Sequence, residues 1–510
     1  MSDLKRILVV AGSDSSGGAG LEADQKVIAA YGCYAMTATT ALTAQNTLGV
    51  EDIHATPSDF VKKQVDACMS DIGVDVLKTG MLTCAETIHV VADAIKRWNI
   101  PFTVVDPVMV STSGARLLPE SAIKVMCDQL LQHTSLLTPN IPEALLILRE
   151  TGQAFGEVKG LEDMKALART VSALGPKSVL IKGGHIPLTK DYKTAKIDEE
   201  KQILVNVLYA NDSFHTYESK YLKSRNTHGT GCSLASAIAC NVASGLTLEK
   251  AVGAAGRYIE AGIRTSKDIG KGSGPINHFH STVMMPFAPG GFIDYLLDRS
   301  DVAEVWQKFT HHEFVEQLGN GTLPVEKFKF YMAQDYLYLL QFARANALAG
   351  YKAKTLAGVA ASAAIVLHIQ HETQLHVSEC EELGLSLEEM ENMEEHQACT
   401  AYSRYILDVG QSEDWFALQM ALLPCLLGYS VIAKRLHSIQ DPEKPKEANR
   451  YRKWIDNYVA DDYNEAVIKG CALVEAHAGN QSPQRIEELV KIFIHATRME
   501  AGFWEMGLGA

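Results

Sequence analysis

The chain has 510 residues, of which 47% are hydrophobic and 21% charged, globular values in a length too great for one ordinary core. Two or three domains are therefore expected, and broad disorder is excluded. A net charge of −14 argues against the basic face that nucleic acids or anionic membranes require, yet a few backbone amides and one lysine still suffice to hold a phosphate.

Met1-Ser2-Asp3 runs almost directly into the apolar run Ile7–Val10, so no secretory leader is expected. Similar short runs follow at Val74–Leu77, Phe102–Val105, Leu136-Leu137 and Ser178–Ile181, most of them rich in branched residues. Continuous apolar strands separated by helices predict a mainly parallel sheet covered on both faces. The segment Ile203–Tyr221 alternates instead, with Asn211-Asp212 as a turn, and predicts a hairpin at the sheet edge. Glycine-rich loops stand at Gly270–Pro275 and Pro286–Gly291. From about Ile293 nearly everything has helical period: 300–318, 325–350, 357–383, 397–408, 412–437, 447–477 and 483–506. This shift from α/β to all-α predicts two domains, 1–288 and 289–510. Asp441–Glu447 predicts a charged, proline-containing loop between late helices. The most membrane-like run, Ala421–Ala433, contains Pro424 and is too short to span a bilayer. The ten cysteines are scattered with no C-x-x-C pair, which suits a reduced cytoplasmic compartment.

Ala11–Gly20 (AGSDSSGGAG) joins the first strand to a helix beginning near Leu21. It is neither a Walker loop nor a dinucleotide fingerprint, and a plain structural turn remains an equal reading. Asn226–Cys232 (NTHGTGC) opens a second helix, where Gly229, Thr230 and Gly231 expose backbone N–H groups as an anion nest. Cys232 at that helix end is expected to have a depressed pKa and to accept a proton from a substrate hydroxyl; a passive neighbour of the anion hole is the rival reading. Asp106, Asn140 and Glu143 follow strands and offer oxygens suited to Mg²⁺ with a nucleotide, and Lys182 ends another strand as a point charge for phosphates.

These pieces carry a resemblance. AGSDSSGGAG at 11–20, ALTAQNT at 41–47, KTGML at 78–82, VDPVM at 105–109, TPNIPE at 138–143, KGGH at 182–185, HGTGC at 228–232 and NHFH at 277–280 together resemble the hydroxymethylpyrimidine and hydroxymethylpyrimidine-phosphate kinases. That resemblance implies a ribokinase-like three-layer sandwich. It implies ATP with Mg²⁺ and two successive phosphorylations, of the hydroxyl and then of the monophosphate. It also implies a pyrimidine held near Ala19, Asp24, Gln45, Met81 and Val108, with Asp106, Asn140 and Glu143 in the Mg-ATP region and Cys232 in the base position. Gln45 carries both donor and acceptor atoms for the aminopyrimidine edge. Read from their neighbourhoods alone, Met81 is equally a core residue and Asp24 a first-turn residue favoured by the helix dipole.

In the helical half, Asp335 and Tyr338 share a helix face, as do Cys425 and Tyr429, and Glu500 and Trp504. Spacing does not say whether those helices meet, and aromatic core packing is the plain alternative. GNGTLP at 319–324, QDYLYL at 334–339, TAYS at 400–403, ALLPC at 421–425, YRKWI at 451–455 and MEAGFW at 499–504 resemble the TenA, or thiaminase-II, family. This implies an all-α, haem-oxygenase-like bundle needing no cofactor. Cys425 would be the nucleophile, Glu500 the acid–base residue and Asp335 the group orienting the aminopyrimidine, with Tyr338, Tyr402, Tyr429 and Tyr458 lining the pocket. Both families imply small-molecule partners (pyrimidines, thiamin, ATP) and a homo-oligomer, dimer or tetramer. The alternative is a pyridoxal-type kinase joined to a non-catalytic pyrimidine-binding or assembly domain. His368, His371, Glu372 and His376 lie on one helical face in a metal-like pattern, though a solvated polar face is the expected reading.

Overall fold

A computed structural model describes residues 4–110, 117–440 and 449–509, apart from the side chains of Glu372, Leu375, His376 and Glu379. The expected loop Asp441–Glu447 and half of the histidine-face pattern thus lie outside the described residues. Two compact units are present, Met1–Thr282 and Val283–Ala510.

Among the described residues the first unit has ten strands: β1 (Arg6–Ala11), β2 (Tyr34–Thr39), β3 (Ala41–Gln45), β4 (Val50–Ala55), β5 (Val76–Thr79), β6 (Thr103–Val105), β7 (Leu136–Leu137), β8 (Ser178–Ile181), β9 (Ile203–Ala210) and β10 (Ser213–Lys220). Eight form one sheet in the order β10-β9-β8-β7-β6-β5-β1-β2. From β2 to β8 every pairing is parallel, while β9 runs antiparallel to both its neighbours. Along β1 the side chains divide by alternation. Leu8 and Val10 join an apolar cluster with helices Ser58–Asp71 and Ala85–Arg97, whereas Ile7, Val9 and Ala11 join one with helices Gly20–Ala30 and Thr230–Ala243. A sheet buried on both faces explains the unbroken apolar runs. Asn211 and Asp212 both have positive φ (49° and 57°), the geometry of a type I′ turn joining β9 and β10.

Two features were not expected from sequence. The Thr- and Ala-rich β2 extends the sheet beyond β1, and β3 and β4 form a separate antiparallel hairpin. Because the central strands are parallel, their C-terminal ends share one edge, so the segments after β1, β5, β6, β7 and β8 gather there.

Beneath that edge Lys78, inside β5, is fully enclosed together with Asp24 of helix Gly20–Ala30. The ammonium donates to both carboxylate oxygens, at 2.9 and 2.8 Å, and Ser236 of helix Thr230–Ala243 donates to Oδ1 at 2.7 Å. Burial alone would discharge Lys78, but the charge and hydrogen bonds of Asp24, with the negative groups of Asp106 and Cys232 nearby, together outweigh it and hold the amine protonated.

The second unit is helical. The stretch expected at 300–318 is two helices, Ser300–Thr310 and Glu313–Asn320, because the His312 side chain caps the second by accepting from the Phe314 amide. The stretch near 447–477 likewise breaks at Ala460, which is extended (φ −61°, ψ 153°), giving Arg452–Val459 and Asp461–Ala478. Met285 and Phe287 already pack against this unit's apolar core. Ala421–Ala433 proves to be part of a 24-residue helix, Trp415–Ser438, long and apolar enough to cross a membrane by length and composition, yet 78% of its apolar window is buried inside the protein, as in a central core helix.

Replacing Lys78 by Met leaves the Asp24 carboxylate buried without its charge partner. We expect a stability loss of about 3–5 kcal/mol, measured by chemical denaturation of the full chain; an unchanged midpoint would show the pair to be dispensable.

Candidate active sites

In the first unit the glycine loop after β1 folds around Asp14. Its Oδ1 accepts from the Ser16 amide (2.9 Å) and hydroxyl (2.7 Å), and its Oδ2 from the Gly18 (3.2 Å) and Ala19 (2.8 Å) amides. The Nε2 of His228 lies 2.8 Å from the same Oδ2. Gly229 caps helix Thr230–Ala243 with φ +77°, and a Cβ there would collide with the carbonyl oxygen of Gly18. The two glycine loops are therefore seated directly on each other, which only glycine allows at this position.

Behind them, Gly231 faces charge: a Cβ on it would sit 3.3 Å from Lys182 Nζ and 3.8 Å from an Asp106 carboxylate oxygen. Lys182 donates to Asp106 Oδ1 at 2.5 Å, and Glu143 Oε2 stands 4.0 Å away from the ammonium. Thr138 donates to the same Asp106 oxygen at 3.0 Å. The ends of β6, β7 and β8 thus bring Asp106, Glu143 and Lys182 beside the helix N-terminus carrying Gly229, Thr230, Gly231 and Cys232. Asn140 is differently employed. It caps helix Ile141–Glu150, its side-chain oxygen accepting from the Glu143 amide at 2.8 Å while Glu143 Oε2 accepts the Asn140 N–H at 2.8 Å. Burial pushes the Glu143 carboxyl up to about 7; Lys182 opposes this and Asp106 adds to it.

Cys232 departs from expectation. Burial pushes its thiol up to about 11, against the pull of Lys78, and the Asp24 and Asp106 carboxylates reinforce the rise. The helix terminus does not prevail, because the nearest anions are buried with the sulfur. Asp24 has no exposed surface, and its oxygens are engaged by Lys78 and Ser236. Met81 packs against Gly12, where any Cβ would strike its terminal methyl. Ala19 and Val108 are half-buried on the loops after β1 and β6. Gln45, half-buried at the end of β3, has its amide 3.3 Å from His228 Nε2. Asp14 and Lys78 were not singled out from sequence; a lysine within the apolar run of β5 was the available signal, since a buried amine demands a carboxylate.

In the helical unit Glu500 of helix Pro483–Gly509 is 1% exposed and is flanked by side chains from helices Val325–Lys352, Gln397–Ser412 and Trp415–Ser438. Tyr402 donates to Glu500 Oε1 at 2.7 Å. The Cys425 side chain is hydrogen-bonded to the same carboxyl, and the charge of Asp335 acts on it. Burial pushes Glu500 up to about 8; the Tyr402 bond restrains the rise and Asp335 adds to it. Tyr338 stacks on Tyr402 with ring centroids 4.9 Å apart and planes 18° from parallel. The Tyr429 hydroxyl is 3.4 Å from that of Tyr331, and its ring lies 5.1 Å from Tyr458. Cys425, Glu500, Asp335 and the four tyrosines named from sequence are all brought to this one region. Among the described residues no group of three or more His, Cys, Asp or Glu side chains is arranged to hold a metal ion.

The pattern of the phosphomethylpyrimidine kinase family matches residues 14–277. The chain belongs to that family. Its remaining part matches the TENA/THI-4/PQQC family over residues 299–510. The chain is 43% identical over 501 residues to the putative hydroxymethylpyrimidine/phosphomethylpyrimidine kinase 2 of Schizosaccharomyces pombe, covering 98% of this chain and 90% of that one. It is 34% identical over 547 aligned positions to the hydroxymethylpyrimidine/phosphomethylpyrimidine kinase THI21 of Saccharomyces cerevisiae, covering 99% and 96% respectively. The kinase half alone is 45% identical over 272 residues to the thiamine biosynthesis bifunctional protein ThiED of Geobacter sulfurreducens, 53% of this chain and 52% of that one.

With Glu500 titrating near 8 in the folded state and near the ordinary carboxyl value when unfolded, the folded chain keeps a proton that the unfolded chain has lost. Stability from this group is therefore greatest at acid pH and falls as pH rises from about 4.5 to 8. Denaturation midpoints of wild type and Glu500→Gln should diverge over that interval, with the wild type losing ground; parallel curves would contradict the raised value.

Proposed function

We propose that the first unit transfers the γ-phosphoryl group of ATP to 4-amino-5-hydroxymethyl-2-methylpyrimidine and then to its monophosphate. We propose further that the helical unit releases that pyrimidine hydrolytically from thiamin or a degraded aminopyrimidine. Relatives bearing the pyrimidine-kinase name match along both units, which favours this reading over a pyridoxal-type kinase joined to an inactive domain. The observation that carries the hydrolase reading is the Glu500 carboxyl bonded to both Tyr402 and Cys425.

For the kinase, the backbone N–H groups of Gly229–Cys232 and the Lys182 ammonium would receive the phosphoryl oxygens. The Asp106 and Glu143 carboxylates already stabilise one positive charge, the Lys182 ammonium, between them, so these oxygens fit a hydrated Mg²⁺. When bound, Mg²⁺ supplies charge neutralisation on the β- and γ-phosphates. Asn140 serves this site as the cap that fixes Glu143. Gln45 and Met81 would hold the pyrimidine, with Asp24 acting from behind through Lys78. In this reading Cys232 takes the hydroxyl proton only as a thiolate, a form its pKa near 11 makes scarce at neutral pH.

In the helical unit the order of events follows from the proton on Glu500. The carboxyl gives that proton to a ring nitrogen and takes the proton of the Cys425 thiol. The sulfur adds to the electrophilic ring, the exocyclic group departs from the methylene (taking a proton from Glu500 when it is an amine), water adds there and returns a proton to the carboxylate, and the thiolate is expelled as the ring nitrogen gives up its proton. Tyr338 and Tyr402 offer stacked faces for the flat ring, and Asp335 orients its amino group. The ten free cysteines support a reducing, cytoplasmic setting for this chemistry.

Separated assays test the reading. Cys425→Ala should abolish pyrimidine release while phosphorylation continues. Cys232→Ala should lower phosphorylation roughly hundredfold or more with ATP affinity retained. The wild-type kinase rate should also climb toward pH 10, a climb missing from Cys232→Ala. Pyrimidine release at the wild-type rate by Cys425→Ala would overturn the hydrolase reading, and a pH-flat wild-type kinase rate would remove Cys232 as base.

A further inference from the structure

Gln45 sits in a hydrogen-bond chain whose polarity is set at both ends. At one end, Asp14 is held below the ordinary carboxylate range: burial pushes it up, but His228 and the Ser16 bonds prevail. An ionised carboxylate only accepts, so the His228 Nε2 at 2.8 Å from Asp14 carries the proton. That N–H also faces the Gln45 amide at 3.3 Å, so the amide atom turned toward it must be an acceptor. At the other end, the Thr43 hydroxyl lies 2.9 Å from the Ser13 carbonyl, which only accepts, so the hydroxyl proton is spent there. The Thr43 oxygen is then left to accept from the Gln45 amide group 3.2 Å away. Both ends require the amide oxygen toward His228 and the amide nitrogen toward Thr43. Because the amide oxygen and nitrogen are nearly isosteric, it is these partners, and not shape, that fix which way the group faces.

We infer that Asp14, His228, Thr43 and the Ser13 carbonyl are positioning groups that lock the Gln45 amide in one orientation and thereby select the substrate by the polarity of its edge. This rests on the proposed contact between Gln45 and the pyrimidine. The locked amide keeps one N–H and one oxygen lone pair outside the chain. A 4-aminopyrimidine presents the complement, a ring-nitrogen acceptor beside an amino donor. The 4-oxo counterpart presents an N–H beside a carbonyl and needs the amide reversed, which would set donor against donor at His228. His228 is itself immobilised: its backbone N–H donates to the Gly274 carbonyl at 3.0 Å, and its ring packs where a Cβ on Gly18 would collide. Unpaired polar groups in a closed site are the strongest source of such discrimination.

The test compares kcat/KM of the full chain for 4-amino-5-hydroxymethyl-2-methylpyrimidine and its 4-oxo counterpart. Wild type should prefer the amino compound strongly. Thr43→Val and Asp14→Asn, which release either end of the chain, should lower that preference at least tenfold, and Thr43→Ser should retain it. A destabilised variant loses both activities together, whereas the inference requires the ratio to move. An unchanged ratio in both Thr43→Val and Asp14→Asn overturns the inference alone, provided Gln45→Ala still impairs the amino substrate. If Gln45→Ala leaves that substrate unaffected, the pyrimidine contact fails and the inference with it.

Discussion

The kinase half is organised around a charge placed where no charge is stable alone. Lys78 stands within a parallel strand whose every residue is buried, and Asp24 reaches it from one helix while Ser236 closes the carboxylate from another. The energetic worth of such a pair against an apolar replacement is small or negative, but losing one partner is severe. Its consequence is geometric. Helix Gly20–Ala30 begins at the first glycine loop and helix Thr230–Ala243 at the second, and both are tied to β5 through the same carboxylate. The register of those two helices sets how Gly18 and Gly229 meet, and so where the anion nest opens.

Burial also governs the chemistry in both units, in the same direction each time. Cys232, Glu143 and Glu500 are all displaced upward because their charged forms lose water and stand near other carboxylates. For Glu500 the outcome is a carboxylic acid that retains its proton near neutral pH beside a thiol able to take its place as donor. For Glu143 it is a carboxyl balanced by Lys182. For Cys232 it is a neutral thiol, held among anions in a site proposed to receive phosphate. A resting thiolate there would oppose the very ligand the helix terminus attracts.

How far the sequence reaches differs by level. The apolar runs at β1, β5, β6, β7 and β8 were legible because strands buried on both faces carry no competing pattern. The hairpin β3–β4, which carries Gln45, was not, because both strands are short and β4 buries none of its residues, so no run of apolar side chains marks them. Asn140 and Glu143 were read from sequence only as oxygen donors, but an Asn followed three residues later by Glu is also a capping box, and Pro142 in the first turn is its companion. The cluster in the helical unit was suggested by shared helix faces and by the family resemblance, not by spacing between helices. Periodicity describes one helix at a time, so the meeting of Tyr402, Cys425 and Glu500 is a property of packing that spacing does not contain. The Asp14–His228 contact, spanning 214 residues of chain, is likewise invisible to any local pattern.

One chain is proposed both to free and to phosphorylate the same heterocycle. The intact protein can be incubated with ATP, Mg²⁺ and thiamin or a degraded aminopyrimidine, and the pyrimidine followed by mass spectrometry. Free hydroxymethylpyrimidine is expected first, then its monophosphate and diphosphate in that order. Phosphorylation confined to a pyridoxal-type ring, with no pyrimidine released from any donor, would refute the proposal.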